Sequence, residues 1–320
     1  MNFAFFGSSE FSLYVLDELK LHGLIPSLII TTPDKPIGRK LVLTPTPVKI
    51  WAGLHNIEVL DPASLKKDVS SFIYNLKSKN YDLFLVASYG KIIPTEIFEI
   101  PERKTLNIHP SLLPKYRGAS PIQAQILNDE KEIGVTIMEI VEAMDAGPIV
   151  IQKRITPLAP LTLRGEQEKT DSFSPLSFAR RGVGGEVVGR IELEKILAKE
   201  GARLFAHILP EWLEGAIDPI MQNEQLATYC SKIVKTDGEL KINFFDMPKG
   251  EEALLNLRKI KAFEEWPGCY TFLNKDEKLI RIIIKSAHIE NDTLVIDSLI
   301  PEGKKEMNFE QFKRGYLKPI

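Results

Sequence analysis

The spacing of apolar residues changes period along the chain, and the change divides it. Residues 3–6 form an apolar run closed by Gly7-Ser8-Ser9, which predicts a buried strand and a turn. Phe11, Val15, Leu16 and Leu19 then recur at helical spacing, and His22-Gly23 closes that helix. Leu28-Ile29-Ile30 reads as a second buried strand. This strand–helix–strand opening predicts a parallel sheet. The same alternation continues with a helix over 64–78, carrying Val69, Phe72, Ile73 and Leu76 on one face. A buried strand over 81–89 follows, ended by Gly90, and a strand leading to His109. A short helix at 121–127 and strands at 134–140 and 148–152 complete this half. Residues 32–49 contain Pro33, Pro36, Pro45 and Pro47 and predict a loop without regular structure, with Gly38 allowing a turn.

Beyond residue 190, Leu193, Ile196, Leu197, Leu204, Phe205 and Leu209 return to helical spacing. From about residue 232 short strands dominate, at 239–244, 269–273, 279–287 and 293–296, with a helix over 253–263. The pattern predicts two domains, at 1–215 and 233–320, with 216–232 as a polar linker. One segment, 163–190, fits neither period and is rich in Gly, Ser and Arg. Its large apolar anchors are Leu163, Phe173, Leu176 and Phe178. Burying each gains about 1.5–3 kcal/mol, while ordering each backbone residue costs about 1–2 kcal/mol. The segment is therefore expected to be a mobile surface insertion. The competing expectation is an arm that binds phosphate through Arg180, Arg181 and Arg190.

Composition narrows the chemistry. The 320 residues are 44% hydrophobic and 26% charged, as in an ordinary globular protein. A formal net charge of −2 means that any nucleic-acid contact must come from a local patch. Lys35, Arg39, Lys40 and Lys49 make the 32–49 loop such a patch. Cys230 and Cys269 lack CxxC spacing, which argues against zinc and a disulfide framework and suits a reducing cytoplasm. The opening MNFAFF has no basic n-region, and no window reaches about 18 uninterrupted apolar residues, so neither a signal peptide nor a membrane span is expected. FGSSEFS carries one glycine where a dinucleotide-binding turn wants GxGxxG.

The candidate chemistry lies in TLNIHPSLLPKYRGASPIQ, residues 105–123. In an extended chain Thr105, Asn107 and His109 share one face while Leu106 and Ile108 point into a core. Pro110 and Pro114 stop regular pairing, and Gly118 permits a tight turn. An amide beside an imidazole at a strand end can bind a carbonyl and manage a proton. A hydrogen-bonded structural histidine is the alternative. Asp145, in an Asp-Ala-Gly turn, is by itself more readily turn chemistry than catalysis.

Together these motifs resemble the signature of the folate-dependent formyltransferases: Asn-x-His, then SLLP, a basic-aromatic step and a glycine, with an aspartate in a second loop. RGASPIQ, GVTIMEIVEAMDAG and RKIKAFEEWPG are similar to the branch of that family acting on methionyl initiator tRNA. The resemblance spans the chain apart from 163–190. It implies an α/β fold: a Rossmann-like formyltransferase domain with a mainly parallel sheet, followed by an OB-like β-barrel domain that binds tRNA. It implies 10-formyltetrahydrofolate as formyl donor, no metal, no membrane, and a cytoplasmic monomer acting on initiator Met-tRNA. Asn107 and His109 would stabilise an oxyanion, and Asp145 would orient or charge-pair His109 and assist proton removal. Val86, Ala87, Ser88, Tyr89, Gly90, Ile92, Ser111, Leu112, Leu113 and Pro114 would line the folate site. Lys35, Arg39 and Lys40 would contact tRNA, although Leu41 and Val42 stand where that branch is often basic. A nucleotide-sugar formyltransferase, a formyltetrahydrofolate hydrolase and a non-catalytic RNA-binding relative are the alternatives.

Overall fold

A computed structural model of the chain describes residues 1–38, 41–66, 69–155, 187–275 and 277–317. The elements up to the candidate histidine are β1 (Phe3–Gly7), α1 (Glu10–Leu21), β2 (Leu28–Ile30), β3 (Lys35–Ile37), β4 (Val42–Thr44), α2 (Pro47–Leu54), β5 (Glu58–Leu60), α3 (Ser70–Ser78), β6 (Leu83–Ala87), α4 (Thr95–Phe98) and β7 (Thr105–His109). There follow β8 (Arg117–Gly118), α5 (Pro121–Leu127), β9 (Ile133–Glu139), β10 (Ile149–Ile155) and α6 (Arg190–Glu214). The last part holds β11 (Tyr229–Cys230), α7 (Gly250–Ala262), β12 (Cys269–Lys275), β13 (Lys278–Glu290), β14 (Thr293–Pro301), β15 (Met307–Asn308) and α8 (Phe309–Tyr316).

The described residues form two compact units. The first comprises Met1–Gly118, Gly134–Ile155 and Glu194–Tyr229. Its seven-stranded sheet runs β10-β9-β7-β6-β1-β2-β5. The five strands from β7 to β5 are parallel, and β9 is antiparallel to β7. β1 and β6 are buried along their whole length, which is why both read as unbroken apolar runs. Phe6 packs on Phe84 at 5.3 Å and edge-on to Tyr89 at 5.5 Å, in a core shared with Leu28, Ile30 and Ile97. α1 starts at a capping box between Ser9 and Ser12. This is the Rossmann-like half of the fold, and parallel strands with their carboxyl ends aligned define one functional edge.

Several expected boundaries moved. The strand expected over 81–89 is limited to Leu83–Ala87, because Asp82 binds the Asn2 backbone at 2.6 Å and Ser88 takes a φ of 50°. The helix expected over 64–78 begins at Ser70, with Leu65 buried ahead of it. The 32–49 segment was expected to lack regular structure; instead β3 and β4 form a two-stranded antiparallel ribbon and α2 begins at Pro47. Proline fits both places, since a two-stranded ribbon leaves outward amides unpaired and the first helical residue needs no N–H. Most of the insertion expected over 163–190, up to residue 186, lies outside the described residues, and helix α6 begins at Arg190.

The second, β-rich unit contains Ala119–Ile133, Cys230–Ile320 and the described part of Thr156–Leu193. Its antiparallel sheet runs β12-β13-β14-β15, with a register irregularity near Ser286. Residues 239–244 form no strand. Leu240, Ile242 and Phe244 are buried in alternation, yet only Glu239 bridges Tyr270 in the sheet, so the period there reports burial and not a ladder. Arg258 on α7 holds Asp129, just after α5, at 2.7 Å, and Phe244 packs on Phe312 of α8 at 5.0 Å. No helix among the described residues is long and apolar enough to cross a membrane.

Candidate active site

Strand β7 lies between β6 and β9, with Asn107 in register with Val86 and His109 with Thr136. Leu106 and Ile108 are fully buried, and Gly201 of α6 lies so close to Ile108 that a Cβ there would overlap its methyl group. The opposite face carries Thr105, Asn107 and His109. His109 is buried, and its Nε2 donates to the Tyr116 carbonyl at 3.1 Å. That assignment leaves Nδ1 facing Asp145, whose Oδ1 is 3.8 Å away. The distance exceeds a hydrogen bond but lies within ion-pair range, so the carboxylate pairs with the ring whenever the ring is protonated. Asn107 is half-buried, and among the described residues its amide has no hydrogen-bond partner.

The loop after His109 is held by polar groups of its own and of the chain around it. Ser111 Oγ donates to the Lys115 carbonyl at 2.7 Å. Thr136 Oγ1 donates to the Ser111 carbonyl at 2.6 Å and accepts from Leu113 N at 3.1 Å and Gln152 Nε2 at 2.8 Å. Tyr116 N donates to Thr228 Oγ1, and Arg117 N to the Thr228 carbonyl. Gly118 N then donates to Asp145 Oδ2 at 2.8 Å, which ties the two loops together. Asp145 itself has a φ of 53°. Two residues on, a Cβ on Gly147 would overlap the Glu139 carbonyl oxygen, so glycine is required there.

The edge is completed by the ends of β1 and β6. Ser12 Oγ donates to the Ala87 carbonyl at 2.6 Å, and Ser8 Oγ to the Tyr89 carbonyl at 3.1 Å. Ser88 and Gly90 both have positive φ, which turns the chain away from the sheet beyond Ala87. Val86, Ala87 and Tyr89 are buried, while Gly90 and Ile92 are exposed. Burial without a partner pushes the Tyr89 hydroxyl well above the usual phenol range. Ser111 and Leu113 are buried and Leu112 and Pro114 half-buried. Lys35 is exposed on β3; Arg39 and Lys40 lie outside the described residues. A cavity of about 610 Å³ lies at the other end of β6 and β7, bordered by Tyr81, Asp82 and Arg103, away from these side chains. Among the described residues no cluster of His, Cys, Asp and Glu is composed to hold a metal.

Sequence reasoning did not single out Arg117, Gln222 and Glu224. Arg117 is fully buried, donates from Nε and Nη2 to Gln222 Oε1 at 3.0 and 2.8 Å, and makes a two-pronged pair with Glu224 at 2.7 and 2.9 Å. Hydrogen bonding to Glu224 holds the guanidinium above its ordinary range and the Glu224 carboxyl below its own. Only Arg117 gave a sequence signal, a charged residue beside Gly118 in the loop; Gln222 and Glu224 sit in the stretch expected to be a linker.

An amide and an imidazole on one strand face, with a carboxylate behind the ring, suit transfer of a carbonyl-containing group. The family model described as formyl transferase matches residues 1–174, and the chain belongs to that family. Within it, the chain is 35% identical to a methionyl-tRNA formyltransferase of Dictyoglomus thermophilum, an alignment covering 99% of this chain and 97% of the relative. Among solved structures it is similar to the methionyl-tRNA formyltransferase of Clostridium thermocellum, with a TM-score of 0.53 at 15% identity over 94% of this chain and 98% of the other. It is also similar to an N-formyltransferase of Helicobacter canadensis solved with folinic acid and dTDP-3-aminofucose, with a TM-score of 0.53 at 18% identity over 92% and 98%. Both structural likenesses concern the fold.

Proposed function

We propose that this protein transfers the formyl group of 10-formyltetrahydrofolate to the α-amino group of methionine on initiator tRNA. The observation that carries the reading is the His109–Asp145 pairing at 3.8 Å beside Asn107, in a chain aligned almost end to end with a methionyl-tRNA formyltransferase. In this reading the neutral amine attacks the formyl carbon and forms the new C–N bond. Negative charge builds on the formyl oxygen, where the Asn107 amide and, in its protonated form, the His109 ring stabilise it. Asp145 balances the charge on His109 and helps the amine proton leave. The C–N bond to the folate breaks, and the folate nitrogen takes a proton.

The folate is read as binding along the ends of β6 and β7, at Val86–Gly90, Ile92 and Ser111–Pro114, where backbone groups at the Ser88 turn face its ring. The tRNA is read as contacting Lys35, Arg39 and Lys40 together with the β-rich unit, and the enzyme as working as a monomer. The test compares three acceptors under one set of conditions with 10-formyltetrahydrofolate: methionyl initiator tRNA, an amino-sugar nucleotide, and water. The reading expects N-formylmethionyl-tRNA as the dominant product. Formyl transfer to the sugar, or release of formate at a matching rate, would replace it.

A further inference from the structure

Gln222 lies 77 residues from Asp145 in sequence, yet its side-chain Nε2 donates to the carbonyls of both Asp145 and Gly147, at 2.9 and 2.7 Å. It therefore grips both sides of the turn that carries the carboxylate. The orientation of the amide follows from Arg117. A guanidinium has donors only, so it must face Oε1, and the Nε2 end is then forced toward the two carbonyls. Glu224 neutralises the buried Arg117 from the surface side, with its own side chain 65% exposed. Arg117 is also adjacent to Gly118, whose N–H binds the Asp145 carboxylate. The Arg117 side chain thus supports the aspartate turn through Gln222, while the backbone next to it binds the carboxylate.

We propose that Gln222, locked in orientation by Arg117, is a positioning residue that holds the Asp145 turn in register with His109. The inference rests on reading Asp145 as part of the catalytic constellation. The turn needs such support, because a non-glycine residue at positive φ costs on the order of 1–3 kcal/mol and persists only where its surroundings hold it. Gln222→Glu isolates this role. It keeps an acceptor for Arg117 while setting an oxygen against two carbonyl oxygens, so the turn loses its donor and the hub survives.

The test measures kcat and KM for formyl transfer to methionyl initiator tRNA in wild type, Gln222→Glu, Asp145→Ala and the double variant. Misplacement of catalytic groups can cost up to about a hundredfold, so kcat of Gln222→Glu should fall at least about tenfold, with KM for the folate donor held within about twofold. On the Asp145→Ala background the same change should add less than about threefold, because it acts through the residue already removed. Full kcat in Gln222→Glu beside an impaired Asp145→Ala overturns the positioning role alone. An equal loss with and without Asp145 also overturns it. Near-normal turnover in Asp145→Ala overturns the catalytic reading and this inference with it. If Gln222→Glu does not fold, Glu224→Ala, an exposed carboxylate, serves in its place. It should lower kcat by about threefold or more with the same KM, and an unchanged kcat overturns the inference.

Discussion

Two segments of the first unit lie outside its seven-stranded sheet, and they are built in opposite ways. The 110–118 loop is largely buried, and hydroxyls of Thr136, Thr228 and Ser111 satisfy its backbone. The β3–β4 ribbon is tied mainly by its own ladder, and Leu41, Val42 and Leu43 stand 71%, 58% and 66% exposed at its far end. The first arrangement ties the loop to fixed partners, as chemistry requires. The second leaves a surface that costs little to alter, as contact with a large partner allows.

Removing the chemistry that the rigid loop borders should have the largest effect. Asn107→Ala, His109→Ala and Asp145→Ala should each slow formyl transfer by at least about a hundredfold, the scale of a lost oxyanion donor or acid–base group, while melting temperatures stay near wild type. Near-normal turnover in any of them would take that residue out of the mechanism. Next comes the loop's support. Thr136→Val keeps shape but leaves the Leu113 N–H buried and unpaired, which should cost about 1–3 kcal/mol in denaturant unfolding. A loss below about 0.5 kcal/mol, the range of ordinary surface changes, would mean that the loop is not held this way.

The ribbon should answer differently. Lys35→Ala should weaken tRNA binding and reduce its log–log salt slope by about one, with stability changed by less than about 0.5 kcal/mol. An unchanged salt slope would remove Lys35 from the phosphate contacts. The smallest effect concerns acid. Arg117 holds the folded Glu224 carboxyl below its ordinary value. The stabilisation from this pair is therefore complete above the ordinary value of about 4.3 and lost as pH falls through the lower folded one. Glu224→Gln should melt below wild type at neutral pH, and the gap should close in that acid range. A gap that widens toward acid would contradict the pairing.

The difference between the segments also explains what could be read in advance. β1, β6 and β7 were legible because burial on both faces, or alternation ending at a proline, leaves a direct mark on residue type. The face shared by Asn107 and His109 follows from strand geometry alone. The ribbon was hidden because prolines forbid central strands and not two-stranded edges. Gln222 was invisible for another reason. Its role depends on one amide meeting two carbonyls 75 and 77 residues away, and no local period records such a contact. Residues 216–232 looked like a linker because their burial is polar and non-periodic, although Gln222, Glu224 and Thr228 bind the loops that carry the candidate chemistry.

In the proposed reaction His109 and Asp145 act as one unit in formyl transfer to methionyl initiator tRNA. Single-turnover rates with saturating 10-formyltetrahydrofolate, for wild type, His109→Ala, Asp145→Ala and the double variant, test it most directly. Groups that work together lose their effect together, so the double variant should be slower than the worse single by no more than about threefold. Losses that multiply in the double variant, or a wild type that makes no formylmethionyl-tRNA, would contradict the account.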